Sequence, residues 1–199
     1  MGTERRLPIV ETAVTGAHFS LTPFTEKDVS DRYIKWLSDP EVNRFLEVRF
    51  TPQTPETARS FVRSFYSDAE KYLWGIRLCD TRELIGTATL HSISRRHGWG
   101  HFGLMIGDQQ YWGKGASTEA FRMLAEFAFE RIGLRRLTGG TYATNHAMNF
   151  TLRRLGFKRE GTFRQAFWQD DGTYIDEYRW SLLADEWRTS EDSKNDRED

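Results

Sequence analysis

Cysteine is almost absent from this 199-residue chain. Cys79 stands alone, so no intrachain disulfide can form and no cysteine metal cluster can be built. Net charge is nearly absent too, at −1, which removes any global argument for binding nucleic acid or an anionic membrane. The arginine pairs at Arg95-Arg96, Arg135-Arg136 and Arg153-Arg154 are scattered rather than gathered into a stripe. No apolar run approaches the ~18 residues that a membrane-spanning helix needs. Residues 1–16 carry charges without the apolar segment of a secretory signal. These absences predict a cytoplasmic protein with no metal, no nucleic acid and no membrane among its partners.

Aromatic residues are plentiful. With 14 Phe, 7 Trp and 7 Tyr, a chain of only 38% hydrophobic residues still has enough to bury one sizeable core. No repeat or linker interrupts residues 17–184, which read as one domain after a flexible lead over 1–16. Residues 185–199 hold seven acids against three bases and are expected to be a disordered tail.

Alternation and helical spacing place the elements. Strands are expected at His18–Phe24, Tyr72–Cys79, Leu84–His91, Trp99–Ile106, Arg135–Ala143, Phe157–Trp168 and Tyr174–Leu183. A helix capped by Thr25 is expected over Glu26–Leu37, and another from Thr54-Pro55, where Ala58, Phe61, Val62, Phe65 and Tyr66 share one face. A third follows Ala116 and ends at Gly133; a short fourth runs from Asn145 to Leu155. This order predicts an α+β sandwich. Its mixed, mostly antiparallel sheet of six to seven strands would carry helices on both faces.

The stretch Gly107–Thr118 joins a strand to a helix through a glycine turn that carries a lysine. Unpaired N–H groups and the positive end of a helix dipole meet there, which suits a pyrophosphate. Spacing excludes the familiar nucleotide cradles. Five residues separate Gly107 from Gly113 where a P-loop has four, and Gly115 stands where it needs Ser or Thr. A dinucleotide-binding turn fails at Thr118, the position of its last glycine.

Gln110-Tyr-Trp-Gly113-Lys-Gly115-Ala116 resembles the Q/R-x-x-G-x-G/A signature of the GNAT acyl-CoA N-acetyltransferases. Glu83-Leu-Ile-Gly86, Asn145 and Arg153-Arg-Leu-Gly-Phe157 match the family's order around it, and the likeness covers residues 18–183. Within the family it is most similar to the ribosomal-protein-alanine acetyltransferase branch, through Thr118-Glu119-Ala120 and Leu182-Leu-Ala-Asp-Glu-Trp187. The resemblance implies a sheet splayed in the middle, with the arm of acetyl-CoA laid in the gap. It assigns acetyl-CoA contacts to Met105, Ile106 and Gly107 on the strand, to Trp112, Gly113, Lys114, Gly115, Ala116, Ser117 and Thr118 at the turn, and to Asn145 and Asn149.

The implied reaction is acetyl transfer to a primary amine by direct attack on the thioester. Such a reaction needs an oxyanion site, here backbone N–H groups around Ile106, and a base for the ammonium. His101, His91 and Glu47 are the base candidates, with Asp176 or Glu177 also within reach and His146 more exposed. The family's usual proton donors are replaced by Met148 and Leu152, which carry no proton to give. The acceptor is either a protein α-amine, which wants an open groove, or a small amine such as an amino sugar, which wants a closed pocket. Glu47 and Arg49 among aromatics would suit a zwitterionic or sugar-like amine. An acyl-CoA sensor without catalysis is the competing class. Monomer and homodimer are both compatible with the sequence.

Overall fold

A computed structural model describes residues 12–68 and 70–195, with side chains as far as Thr189. Among the described residues, eight strands form a single sheet in the order β1-β2-β3-β4-β5-β6-β8-β7. They are β1 (Val14–Thr15), β2 (Phe19–Pro23), β3 (Tyr72–Leu78), β4 (Leu84–Ser94), β5 (Trp99–Ile106), β6 (Arg136–Tyr142), β7 (Lys158–Trp168) and β8 (Tyr174–Leu183). Every neighbouring pair is antiparallel except β5 with β6.

Alternation along the strands sorts side chains into two cores, one on each face. On one face lie α4 (Ala116–Glu126), continued by a π-helical turn over Phe127–Arg131, α5 (His146–Arg154) and α6 (Ala184–Asn195). Phe121, Leu124, Phe127, Leu152 and Trp187 bury there against Trp74, Leu90, Leu137 and Trp180. The other face carries α1 (Asp31–Ser38), the single turn α2 (Pro40–Asn43) and α3 (Pro55–Tyr66) over its β2–β5 half. Tyr33, Trp36, Val62 and Phe65 meet Phe24, Leu73 and Met105 there.

Four expectations need correcting. The sheet has eight strands, because residues 12–16 of the expected flexible lead pair β1 with β2, burying Val14; residues 1–11 lie outside the description. The helix expected over Glu26–Leu37 is broken in two. A 3-10 turn at Glu26–Asp28 is closed by a Thr25/Asp28 capping box, and Ser30 then starts α1 by accepting from the Tyr33 N–H at 3.3 Å. β4 runs three residues past His91, to Ser94. The tail expected to be disordered begins as α6, anchored by buried Trp187 beside Phe129 and by ion pairs of Glu186 with Lys158 and of Arg188 with Glu130. Residues 196–199 fall outside the described residues.

Candidate functional site

β5 and β6 run side by side only where Trp99–His101 face Arg136–Thr138. Beyond that point they part, because β5 stays bonded to β4 as far as Ile106 and β6 to β8 as far as Tyr142. At the crotch the Phe102 ring fills the space a side chain on Gly139 would need, 2.6 Å from that Cβ position. The ring is wedged edge-on against Phe121 and Phe157, at centroid distances of 5.1 and 5.2 Å. Parted strands present edges, and edges offer backbone N–H and C=O groups to whatever lies between them. A cavity of about 560 Å³ occupies the gap.

One end of the cavity is the glycine turn. Asp108, buried, pairs with Arg32 and accepts from the Gln110 N–H at 3.0 Å, while the Trp112 indole donates to Ile106 O at 2.8 Å. Gly113 and Gly115 both have left-handed backbones, φ 72° and 84°, which only glycine adopts without cost. Nothing lies within 4 Å of a Cβ placed at either, so the conformation demands glycine and the space stays open. Gly115 is the N-cap of α4, and the first helical bond to close is Glu119 N–H to Gly115 O. The amides of Ala116, Ser117 and Thr118 therefore have no helical carbonyl to meet. Glu119 fixes the helix in place by accepting from the His18 and Phe19 N–H groups at 2.7 and 3.0 Å.

Aromatic rings and carboxylates form the other end. Tyr142 stacks flat on Phe167, with centroids 3.9 Å apart and planes 6° from parallel, and Phe45 leans on Tyr142 at 5.7 Å. Phe167 reaches Tyr142 across β8 because β7 shifts register between Phe163 and Phe167; Gln165 there has φ 54°, and its N–H donates to Asp176 at 2.8 Å. The Tyr142 hydroxyl donates to Glu47 at 2.7 Å, and burial together with that carboxylate pushes the phenol pKa well up. Glu177, opposite Tyr142 on β8, fills the space above Gly140 and lies 3.1 Å from Arg179 Nε, close enough for an ion pair though not aligned as a hydrogen bond. Burial raises its pKa, with the Glu47 charge adding to the shift and Arg179 opposing it.

The GNAT acetyltransferase domain model matches residues 18–158. The chain belongs to the GNAT acetyltransferases. An uncharacterized N-acetyltransferase of Bacillus subtilis, YoaA, is 29% identical over 179 residues, covering 88% of this chain and 97% of its own length. A ribosomal-protein-S5-alanine acetyltransferase from Vibrio fischeri superposes with a TM-score of 0.69 at 19% identity, covering 88% of this chain and 98% of its own. A spermidine N-acetyltransferase chimera from Vibrio cholerae superposes with 0.73 at 18%, covering 86% and 98%. At those identities the two structures establish the fold alone.

For this GNAT protein, the cavity gathers Met105, Ile106, Trp112, Gly113, Gly115, Ala116, Ser117, Thr118, Asn145 and Glu47. Eight other sequence candidates are not part of its lining, Asp176, Glu177 and His146 among them. Gly107 sits under the Trp36 ring and its N–H is spent on Ile85 O. Lys114 is exposed, 5.7 Å from the Tyr111 ring. Asn149 is buried and bonds Thr141, Tyr142 O and Ala143 O, tying α5 to β6. His91 and His101 face each other across β4 and β5 with rings 5.9 Å apart, at the paired end of the fork. Met148 lines the cavity and Leu152 is fully buried in the core. Tyr142 was not anticipated from sequence. The signal was Gly139-Gly140 inside a strand, a pattern that marks close approach of another group.

The histidine pair carries a stability prediction. Burial lowers the pKa of both, helped at His91 by His101 and Lys71 and at His101 by Arg179 and Arg136. The unfolded imidazoles, near an ordinary 6.5, take protons first as the pH falls. Stability is therefore full above about pH 6.5 and is lost as pH drops toward the folded pKa values. Thermal melts from pH 8 to 5 should show Tm falling in that window, with a shallower fall in a His91→Gln/His101→Gln double variant. Parallel curves would rule the pair out as the source.

Proposed function

We propose that this protein transfers the acetyl group of acetyl-CoA to a primary amine. The single observation that carries the reading is that the glycine turn, the fork and Glu47 all open into one cavity. The residues fit the donor: open space at Gly113 and Gly115 admits a pyrophosphate against the first-turn amides of α4. In the fork, the edges of Met105 and Ile106 hold the arm as a strand would, and an N–H of that edge faces the thioester oxygen as charge builds on it.

Glu47 takes a proton from the incoming ammonium, directly or through one water, and Tyr142 holds the carboxylate by donating to it. The neutral nitrogen attacks the thioester carbon, a C–N bond forms and the C–S bond breaks. The leaving sulfur carries the electron pair, and the second proton of the nitrogen passes to it through solvent, since neither Met148 nor Leu152 has a proton to give. Holding donor and acceptor side by side in one cavity supplies much of the acceleration.

Free-thiol release from acetyl-CoA tests this across peptides, polyamines and amino sugars. Release with at least one acceptor class is expected. Tight acetyl-CoA binding without release on any acceptor would instead make the protein a sensor.

A further inference from the structure

We infer that the acceptor is a small cationic amine with a slender or flat body, and that Arg49 sets this limit by strapping the acceptor chamber shut. The inference rests on the acetyl-transfer reading above and names its acceptor class.

The strap begins with a 3-10 turn, Glu47–Phe50, that crosses to the β7–β8 hairpin. Arg49 Nη1 donates to Arg44 O at 3.0 Å and Nη2 donates to Trp168 O at 2.9 Å. Its guanidinium lies 4.4 Å over the Phe50 ring, and Phe50 in turn leans on Trp168 at 5.7 Å. Glu47 and Phe167, the chain neighbours of this bridge, line the cavity, so the bridge spans its rim. A polypeptide terminus must trail an extended chain out of the site at ~3.3 Å per residue. The strap closes that side.

Size points the same way. Pockets of ~300–1,000 Å³ each hold one drug-sized ligand. Here about 560 Å³ serves both the donor arm and the acceptor. What is left between Phe45, Tyr142 and Phe167 takes a compact body.

Charge selects among compact bodies. Two carboxylates, Glu41 and Glu47, line the cavity, and a third, Glu177, is buried behind Gly140 beside it. The arginines beside them are engaged: Arg49 on two carbonyls, Arg179 near Glu177, and Arg44 over Phe45 at 4.8 Å and 3.7 Å from Glu41. The two arginines of the cavity lining, Arg44 and Arg154, are each stacked on a ring, Phe45 at 4.8 Å and Phe150 at 5.8 Å. Zwitterions and sugar phosphates are therefore disfavoured, against the sequence expectation from Glu47 and Arg49, and aryl-alkyl amines and short diamines are favoured.

The test compares wild type, Arg49→Ala and Phe50→Ser with saturating acetyl-CoA, using phenethylamine and putrescine on one side and short peptides with free N-termini on the other. Arg49 is packed inward as well, with a buried Nε and its guanidinium 5.6 Å over the Tyr142 ring, whereas Phe50 is 43% exposed, so Phe50→Ser is the variant that cuts the strap with little risk to folding. Wild type should favour the small amines in kcat/KM by about 100-fold, and each variant should narrow that ratio by about tenfold. The narrowing should appear as a higher KM for the small amines or as new peptide turnover. Comparable wild-type rates on peptides, or a ratio unmoved in both variants, would overturn the inference while leaving acetyl transfer standing. Absence of thiol release with every acceptor would overturn both.

Discussion

Replacing Gly115 with valine is expected to weaken acetyl-CoA binding by about two orders of magnitude while leaving the protein folded. The residue caps α4 with φ 84°, and nothing lies within 4 Å of its missing Cβ, so the substitution meets no clash. What it meets is the left-handed backbone, which costs an L-residue ~1–2 kcal/mol and is worse for a β-branched one. The chain relieves that strain by turning the peptide planes at 114–116, and the amides of Ala116 and Ser117 cease to converge on one point. Hydrogen bonds to a charged group contribute ~1.5–3 kcal/mol each. Losing one to two of them corresponds to ~100-fold in the dissociation constant. Titration calorimetry reads the affinity and a thermal melt reads the fold. Gly113→Val, at φ 72°, should behave alike, whereas Lys114→Ala, at an exposed position, should move affinity only a few-fold. An unchanged affinity in both valine variants would mean that the turn holds no pyrophosphate.

The contrast between Gly115 and Tyr142 explains which parts of the site were legible in the sequence. The turn is local: a strand, two glycines two residues apart and a helix start are adjacent in the chain, and their conformation follows from their own residue types. The same holds for β5, whose alternation gave its bounds to the residue, and for α3, with its Thr54 cap and Pro55. The acceptor end is assembled from distant pieces. Glu47 meets Tyr142 across 95 residues, and Arg49 meets Trp168 across 119. The 41–50 segment has no periodicity of its own, so nothing local said where it would lie. Phe167 reaches Tyr142 only through a register shift centred on Gln165, a residue with no intrinsic preference for positive φ. The position of the histidines outside the cavity lining was hidden for a related reason. His91 and His101 do pair with each other across β4 and β5, but the point where β5 and β6 part lies just beyond His101, and nothing local in β5 marks that point. Composition misled at the C-terminus, where one Trp187 outweighs the surrounding charge.

Glu47→Gln separates a proton acceptor from a mere neighbour, and its effect should depend on pH in a specific way. The amide keeps an oxygen for the Tyr142 hydroxyl and nearly the same volume, so the 2.7 Å contact and the ring stack behind it survive. Only the ability to take a proton is lost. General-base assistance contributes ~10²–10⁴-fold, so kcat/KM near pH 7 should fall by roughly 10²–10³-fold. Near neutrality almost all of a primary amine with pKa about 10 is ammonium, and each turnover needs that proton removed. As the pH approaches the pKa of the amine, the acceptor arrives already neutral and the base has nothing left to do. The gap between wild type and Glu47→Gln should therefore close steadily from pH 7 to 10, with KM for acetyl-CoA unmoved. A gap that stays constant across that range would assign Glu47 to acceptor binding instead. Tyr142→Phe frees the carboxylate without removing it, so its loss should be smaller than that of Glu47→Gln and should close with pH in the same manner. Glu177→Gln gives the decisive comparison, because that carboxylate lies beside Glu47 and burial raises its pKa. If its defect, and not that of Glu47→Gln, is the one that vanishes at high pH, the proton leaves through β8 and Glu47 serves the charge balance of the chamber.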